Sequence, residues 1–72
     1  DKGAPMITIQ CNGKKRELPR STSIAALVKE LGVAERKFAV ERNRQVIPRD
    51  RLESELLEDG DEVNIVTLVG GG

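Results

Sequence analysis

This sequence predicts an α+β fold in which a mixed sheet of four to five strands packs on one main helix. Three observations carry that expectation. Ile7, Ile9 and Cys11 alternate with the polar Thr8 and Gln10, the period-two pattern of a half-buried strand. Ile24, Leu27, Val28 and Leu31 recur at i, i+3, i+4 and i+7, a single apolar stripe along one helix. Asn12-Gly13 is a strong hairpin signal, because both residue types tolerate the positive φ of a tight two-residue turn.

The elements follow in order. Residues 1–5 have no apolar pattern and read as a remnant foreign to the natural chain, with Met6 as the natural start. Met6 to Cys11 is the first strand, and Lys14 to Leu18 returns after the Asn-Gly turn until Pro19 and Arg20 break it. Ser23 stands directly before the helical stripe as its N-cap, and Gly32 stands where a left-handed residue would end it, with Val33 tucking back. Lys37 to Arg42 reads as a third strand with Phe38 and Val40 inward. Asn43-Arg44 is a tight turn, and Gln45 to Ile47 is a short edge strand closed by Pro48. Residues 49–58 form a polar connection anchored by Leu52 and by Leu56 or Leu57. Asp59-Gly60-Asp61 turns into a last strand, Glu62 to Leu68. A right-handed crossover returns the chain beside the first hairpin, so the last strand can insert centrally, parallel to the first. That arrangement is the ubiquitin-like β-grasp, with residues 6–68 as the domain and residues 69–72 as a flexible tail.

Composition narrows the function. The chain has 72 residues, and a domain near this size buries only about 60% of its unfolded surface. Little room is left for an internal active site, so function belongs on the surface or at an end. There is no His, Trp or Tyr and a single Cys, which excludes a Cys/His zinc site, a cysteine-held iron–sulfur cluster and a His-activated nucleophile. A formal net charge of zero argues against a general nucleic-acid binder. A lone Cys fits a reducing cytoplasm, and no apolar run or signal peptide suggests a membrane. The charges are nonetheless segregated. All 12 Lys and Arg lie within residues 1–51 beside six acids, whereas residues 52–72 hold six acids and no cation.

The most informative segment is Val69-Gly70-Gly71-Gly72, directly after a strand ending at Leu68. Four residues reach about 13–14 Å when extended. Glycines lack a Cβ, so such a tail can thread a narrow channel and let a partner's backbone approach closely. At its tip is an α-carboxylate, ionised at neutral pH with a reference pKa of about 3.3–3.7. A carboxylate is a poor electrophile. Transfer of AMP from ATP would make it a mixed anhydride, and a sulfur nucleophile would then give a thiocarboxylate. A carrier of this kind needs no catalytic side chain, which suits the residue inventory. Taken alone, terminal glycines can equally be a frayed end.

From Met6 to Gly72 the chain resembles the ThiS family of sulfur carriers of thiamin synthesis. The resemblance rests on Met-Ile-Thr-Ile, the Asn-Gly turn, Ser-Ile-Ala-Ala-Leu-Val-Lys-Glu-Leu and Ala-Val-Glu-Arg-Asn. It continues through Val-Ile-Pro-Arg, Leu-Glu-Asp-Gly-Asp-Glu-Val and the terminal Gly-Gly. Gly70 departs from the pattern, since relatives often carry another small or apolar residue there. The resemblance implies adenylation of Gly72 by a ThiF-type enzyme, sulfur from a cysteine desulfurase relay, and delivery to a ThiG-type thiazole synthase. ATP and zinc would belong to the partners, and this chain would bind no cofactor or metal and catalyse nothing itself. A cytoplasmic monomer is expected. The alternatives are a sibling carrier like MoaD of molybdopterin synthesis, a ubiquitin-like protein modifier, or a passive β-grasp interaction domain.

Smaller signals complete the reading. In the last strand at most one alternating set can face the core without a bulge, so Val66 and Leu68 can form an apolar strip beside Val69, Gly70 and Gly71, together the expected partner-binding segment, the alternative being a bulge or a strand buried on both faces. Cys11 alternates with two isoleucines and belongs to the core rather than to sulfur chemistry. Lys14-Lys15-Arg16 reads as a solvated strand margin rather than a phosphate site. The acidic block is expected to help dock a basic activating enzyme, the alternative being that it only keeps the surface soluble.

Overall fold

The computed structural model describes residues 6–67; residues 1–5, Leu68 and the tail 69–72 lie outside the described residues. Strand β1 runs from Met6 to Cys11 and β2 from Lys14 to Pro19. Helix α1 covers Ile24–Glu30, β3 Phe38–Arg42, β4 Gln45–Ile47 and β5 Glu62–Thr67. The five strands form one sheet in the order β2-β1-β5-β3-β4, with β5 parallel to β1 and antiparallel to β3. This is the α+β β-grasp arrangement, with the last strand inserted at the centre.

The two hairpins share a turn geometry. Asn12 and Gly13 both have positive φ, as do Asn43 and Arg44, the pattern whose twist matches that of the flanking strands. Strand β2 continues one residue past the expected stop, with Pro19 opposite Met6. Because β2 is an edge strand, the missing Pro19 N–H need not break the ladder.

The helix is short, and its ends are fully specified. The Ser23 hydroxyl accepts from the Ala26 N–H at 3.0 Å, and the Ser23 carbonyl accepts from Leu27 at 3.1 Å. The N–H groups of Ile24 and Ala25 donate to the Glu55 and Leu52 carbonyls at 3.0 and 2.9 Å. All four donors of the first turn are therefore satisfied, two of them by the distant 49–58 connection. At the other end Gly32 has φ +79, its N–H meets the Lys29 carbonyl, and the Val33 N–H meets Val28. Those two bonds make a Schellman stop.

The core lies between the inner sheet face and the helix. Ile7, Ile9, Leu18, Val40, Val63 and Ile65 come from strands, Ile24, Leu27 and Val28 from the helix. Each such side chain contributes about 1.5–3 kcal/mol by burial. The 49–58 connection contains a 3-10 turn at Arg49–Arg51, which periodicity alone did not predict. Of its leucines, Leu52 and Leu57 are buried and Leu56 is exposed, deciding the open choice in favour of Leu57.

The end of the molecule where β5 starts is closed by a charged network. Asp61 is only 7% exposed. Its carboxylate accepts from Arg42 Nε at 2.9 Å, Asn43 Nδ2 at 3.1 Å and the Glu58 N–H at 2.8 Å. Arg42 Nη1 also donates to Glu55 at 3.0 Å, and Arg51 holds the other Glu55 oxygen at 2.8 Å.

Two stability outcomes follow. Replacing Arg42 by Met leaves Asp61 buried without its cation and costs about 3 kcal/mol. The double change R42M/D61N recovers part of that loss, as urea unfolding would register. At Asn12, N12G removes two side-chain hydrogen bonds to Ile65 and costs about 1–2 kcal/mol. N12A costs roughly 1 kcal/mol more, because alanine must also adopt the φ of 53; equal midpoints for N12G and N12A would contradict this.

Candidate functional site

The candidate site is the end of β5, from which the chain continues into the glycine tail. Strand β5 is held on both sides as far as Ile65. On the β1 side backbone pairing covers Gln10 with Glu62 and Cys11 with Val63. The Asn12 side chain then extends the ladder, its Nδ2 donating to the Ile65 carbonyl at 3.2 Å and its Oδ1 accepting from the Ile65 N–H at 2.8 Å. On the β3 side pairing continues to Phe38 opposite Thr67. The root of the tail is thus fixed by a central strand rather than by a loop, and sites on such elements hold their geometry well.

Of the expected site residues, only Val66 falls among the described ones; Leu68, Val69, Gly70, Gly71 and Gly72 lie outside them. Val66 is 57% exposed on the outer sheet face, while Val63 and Ile65 point into the core. Alternation alone produces that split. Opposite Val66 stands exposed Ala39, and on the neighbouring edge strand Val46 is 68% exposed. Val66 and Ala39 are directly paired, while Val46 pairs with Glu41 and lies diagonally from Ala39 on the same outer face, so the apolar strip is oblique. It was only half visible in sequence, because Ala39 and Val46 are brought towards Val66 by the strand register.

Beside the root lies a contact that the sequence did not disclose. The Arg49 guanidinium sits over the Phe38 ring, 4.5 Å from its centroid. Phe38 is half-buried against the core and directly opposite Thr67.

The acidic block is not beside the tail root. Glu53, Glu55, Glu58, Asp59 and Asp61 precede β5 and Glu62 opens it, and the strand's six residues carry the chain about 17 Å away from them. Two of these acids, Glu55 and Asp61, are engaged by Arg42, and Asp59 accepts from the Thr8 N–H at 2.7 Å. The acidic block, expected to help dock an activating enzyme, therefore lies at the opposite end of β5 from the tail root, because adjacency in sequence became separation along the strand.

Cys11 is in the core, 5% exposed. Burial pushes its thiol above the usual range, and the nearby Arg16 pulls it only partly back. The nucleophilic thiolate is thus suppressed at neutral pH. Lys14, Lys15 and Arg16 lie on the edge strand β2, as the margin reading requires. Among the described residues no group of His, Cys, Asp or Glu could hold a metal ion, and no helix is long and apolar enough to cross a membrane.

The raised thiol has a definite pH consequence. A group whose folded pKa exceeds its unfolded value, here about 8.5, favours the folded state fully below that value and loses the contribution as pH rises. Stability should fall as pH rises above the ordinary thiol range in the native chain and fall less in C11A. Alkylation of native Cys11 by iodoacetamide should proceed only at the rate of unfolding; rapid labelling of the folded chain would overturn the core assignment.

Comparison with known proteins agrees with this fold. The family model described as the ThiS family matches residues 7–72. A solved structure of the thiamine biosynthesis protein ThiS from Geobacter metallireducens is similar with a TM-score of 0.77 and 29% identity. That match covers 92% of this chain and 100% of that one. A thiazole synthase of Paramagnetospirillum magneticum is 43% identical over 61 residues, 85% of this chain and 19% of the relative. Another, from Magnetococcus marinus, is 34% identical over 64 residues, 89% of this chain and 20% of the relative. The chain therefore spans about a fifth of the length of these two relatives. An uncharacterised protein of Porphyra purpurea, ycf40, is 33% identical with 92% of this chain and 93% of the relative covered. With this fold and a family match over residues 7–72, the chain belongs to the ThiS family.

Proposed function

We propose that this chain is a sulfur carrier for thiazole formation in thiamin biosynthesis, with the C-terminal carboxylate of Gly72 as its reactive group. The observation that carries the reading is the pairing of a ThiS-family match ending at Gly72 with relatives named thiazole synthase. In those relatives a segment like this one makes up a fifth of the chain. A carrier-like segment that shares a polypeptide with a thiazole synthase supports the same pairing here, and favours the thiamin branch over a MoaD-like role in molybdopterin synthesis.

The chemistry follows from the tail. A ThiF-type enzyme brings ATP to the Gly72 carboxylate, which attacks the α-phosphorus and releases pyrophosphate. The terminal sulfur of a persulfide on a cysteine desulfurase relay then attacks the acyl carbon, displacing AMP and forming an acyl disulfide. A thiol of the relay cleaves the S–S bond, becoming a disulfide with the relay cysteine and releasing the thiocarboxylate. Its sulfur is nucleophilic and is delivered to a ThiG-type synthase. Gly70 and Gly71 let the tail thread both partners, because a Cβ at either position would widen it. Leu68, Val69 and the strip headed by Val66 lie against the partner's surface. The carrier acts as a co-substrate in the cytoplasm, as a monomer. Its lack of any His supports a chain on which others act.

Intact mass spectrometry after incubation with ATP, a ThiF-type enzyme and a sulfide source tests the reading. The expected product gains the mass difference of one oxygen exchanged for sulfur, mapped to Gly72 and absent when Gly72 is deleted. An unchanged mass, with the same enzyme active on another carrier, would sink the proposal. A ladder of lysine conjugates instead would indicate a protein modifier.

A further inference from the structure

The Val-Ile-Pro-Arg segment, residues 46–49, has no role in the carrier chemistry itself, yet the fold gives each of its residues a distinct place. Val46 faces outward in the apolar strip, while Ile47 packs against the core from the edge strand. Pro48 caps the 3-10 turn and, with its fixed φ, ends β4 so that the chain turns there. Arg49 opens that turn and lays its guanidinium on Phe38.

Arg49 is exposed, although an exposed arginine ordinarily samples many rotamers. Stacking on a half-buried ring narrows that range and holds the cation in one place. The place is the tail root, because Phe38 pairs with Thr67. Lys37, also exposed, immediately precedes Phe38. Among the described residues neither cation forms an ion pair, whereas Arg42 and Arg51 are both engaged by carboxylates. The nearest acids in sequence, Glu35 and Asp50, are exposed and are not paired with either. Two available positive charges thus flank the point where the chain leaves the sheet, one of them preorganised.

We infer that Arg49, seated on Phe38 and supported by Lys37, is the electrostatic contact through which the tail root engages a carboxylate on the rim of the adenylating enzyme's tail channel. This rests on the carrier reading above. A protein carboxylate fits better than the phosphates of ATP. Five residues separate Thr67 from the end of the chain, up to about 17 Å. Phosphates at the tip of an extended tail are beyond the reach of an arginine at its root. An acidic rim at the channel mouth would meet the root when the tail is fully inserted. The planar guanidinium also presents paired donors that match a carboxylate. Arg49 does not touch the reacting atoms and is a docking residue.

The test compares wild type, Arg49→Gln and Arg49→Lys as full-length chains with a ThiF-type enzyme, by stopped-flow association across a salt series and by steady-state adenylation. Removing the charge should slow association at low salt by roughly three- to tenfold and flatten its salt dependence. The KM for the carrier should rise by a similar factor with kcat unchanged, and Arg49→Lys should recover most of the loss. Urea unfolding of each variant separates docking from folding. An Arg49→Gln chain with wild-type association and salt dependence would overturn the inference, and so would a fall in kcat at constant KM. If wild type itself is not adenylated, the carrier reading fails first and takes this inference with it; a modified wild type with indifferent variants defeats the inference alone.

Discussion

The whole structure depends on β5 occupying the middle of the sheet. Val63 and Ile65 place their side chains in the core while their backbones bridge β1 and β3. Without that strand the molecule is two separate hairpins, β1–β2 and β3–β4, each able to cover only part of the helix. Isolated hairpins are marginal in water, so neither half has a reason to hold its shape alone. The strand that completes the core is also the one that leads to the glycine tail, so the integrity of the sheet and the placing of the tail's root depend on the same residues.

The ends of β5 are secured by different means. At its start a buried carboxylate, Asp61, gathers a guanidinium, an amide and a backbone N–H, tying β3, the β3–β4 turn and the 49–58 connection to one point. Beyond the short β1 ladder an asparagine side chain stands in for backbone, donating to and accepting from Ile65. Asn12 can do both because its amide carries a donor and an acceptor, and its place just beyond the end of β1 sets that amide beside β5. Turn chemistry and strand anchoring are therefore one device here.

Much of this was legible in the sequence, and what was not shares a cause. The strands around Ile7–Cys11 and Val40, the Ser23 cap and the Gly32 stop are encoded within a few residues, so periodicity and capping rules find them. The Arg42–Asp61 pair spans 19 residues and no local rule signals it. The same holds for Arg49 over Phe38 and for the choice of Leu57 over Leu56. At the candidate site, outward-facing Val66 could be read from alternation, but its neighbours Ala39 and Val46 depend on pairing. The acids at and before the start of β5 looked close to the tail only because sequence distance ignores the rise of an extended strand. The glycines of the tail were legible as composition and by resemblance, while the root that aims them needed the fold.

Having the last element in chain order at the centre of the sheet also shapes how the molecule comes into being. Contacts between β1 and β5 join residues more than 50 positions apart, as the 53-residue separation of Asn12 and Ile65 records. Such long-range closure makes folding slow relative to helical proteins of similar size, because chain entropy must be lost before the contact rewards it. Until β5 arrives, the inner edges of β1 and β3 are unpaired and able to accept a strand from another molecule. A nascent chain therefore spends its most aggregation-exposed interval waiting for the strand that bears the tail. A fixed end of β5 is consequently present only in molecules whose sheet has already closed, so anything that recognises that end meets finished folds and not half-made ones.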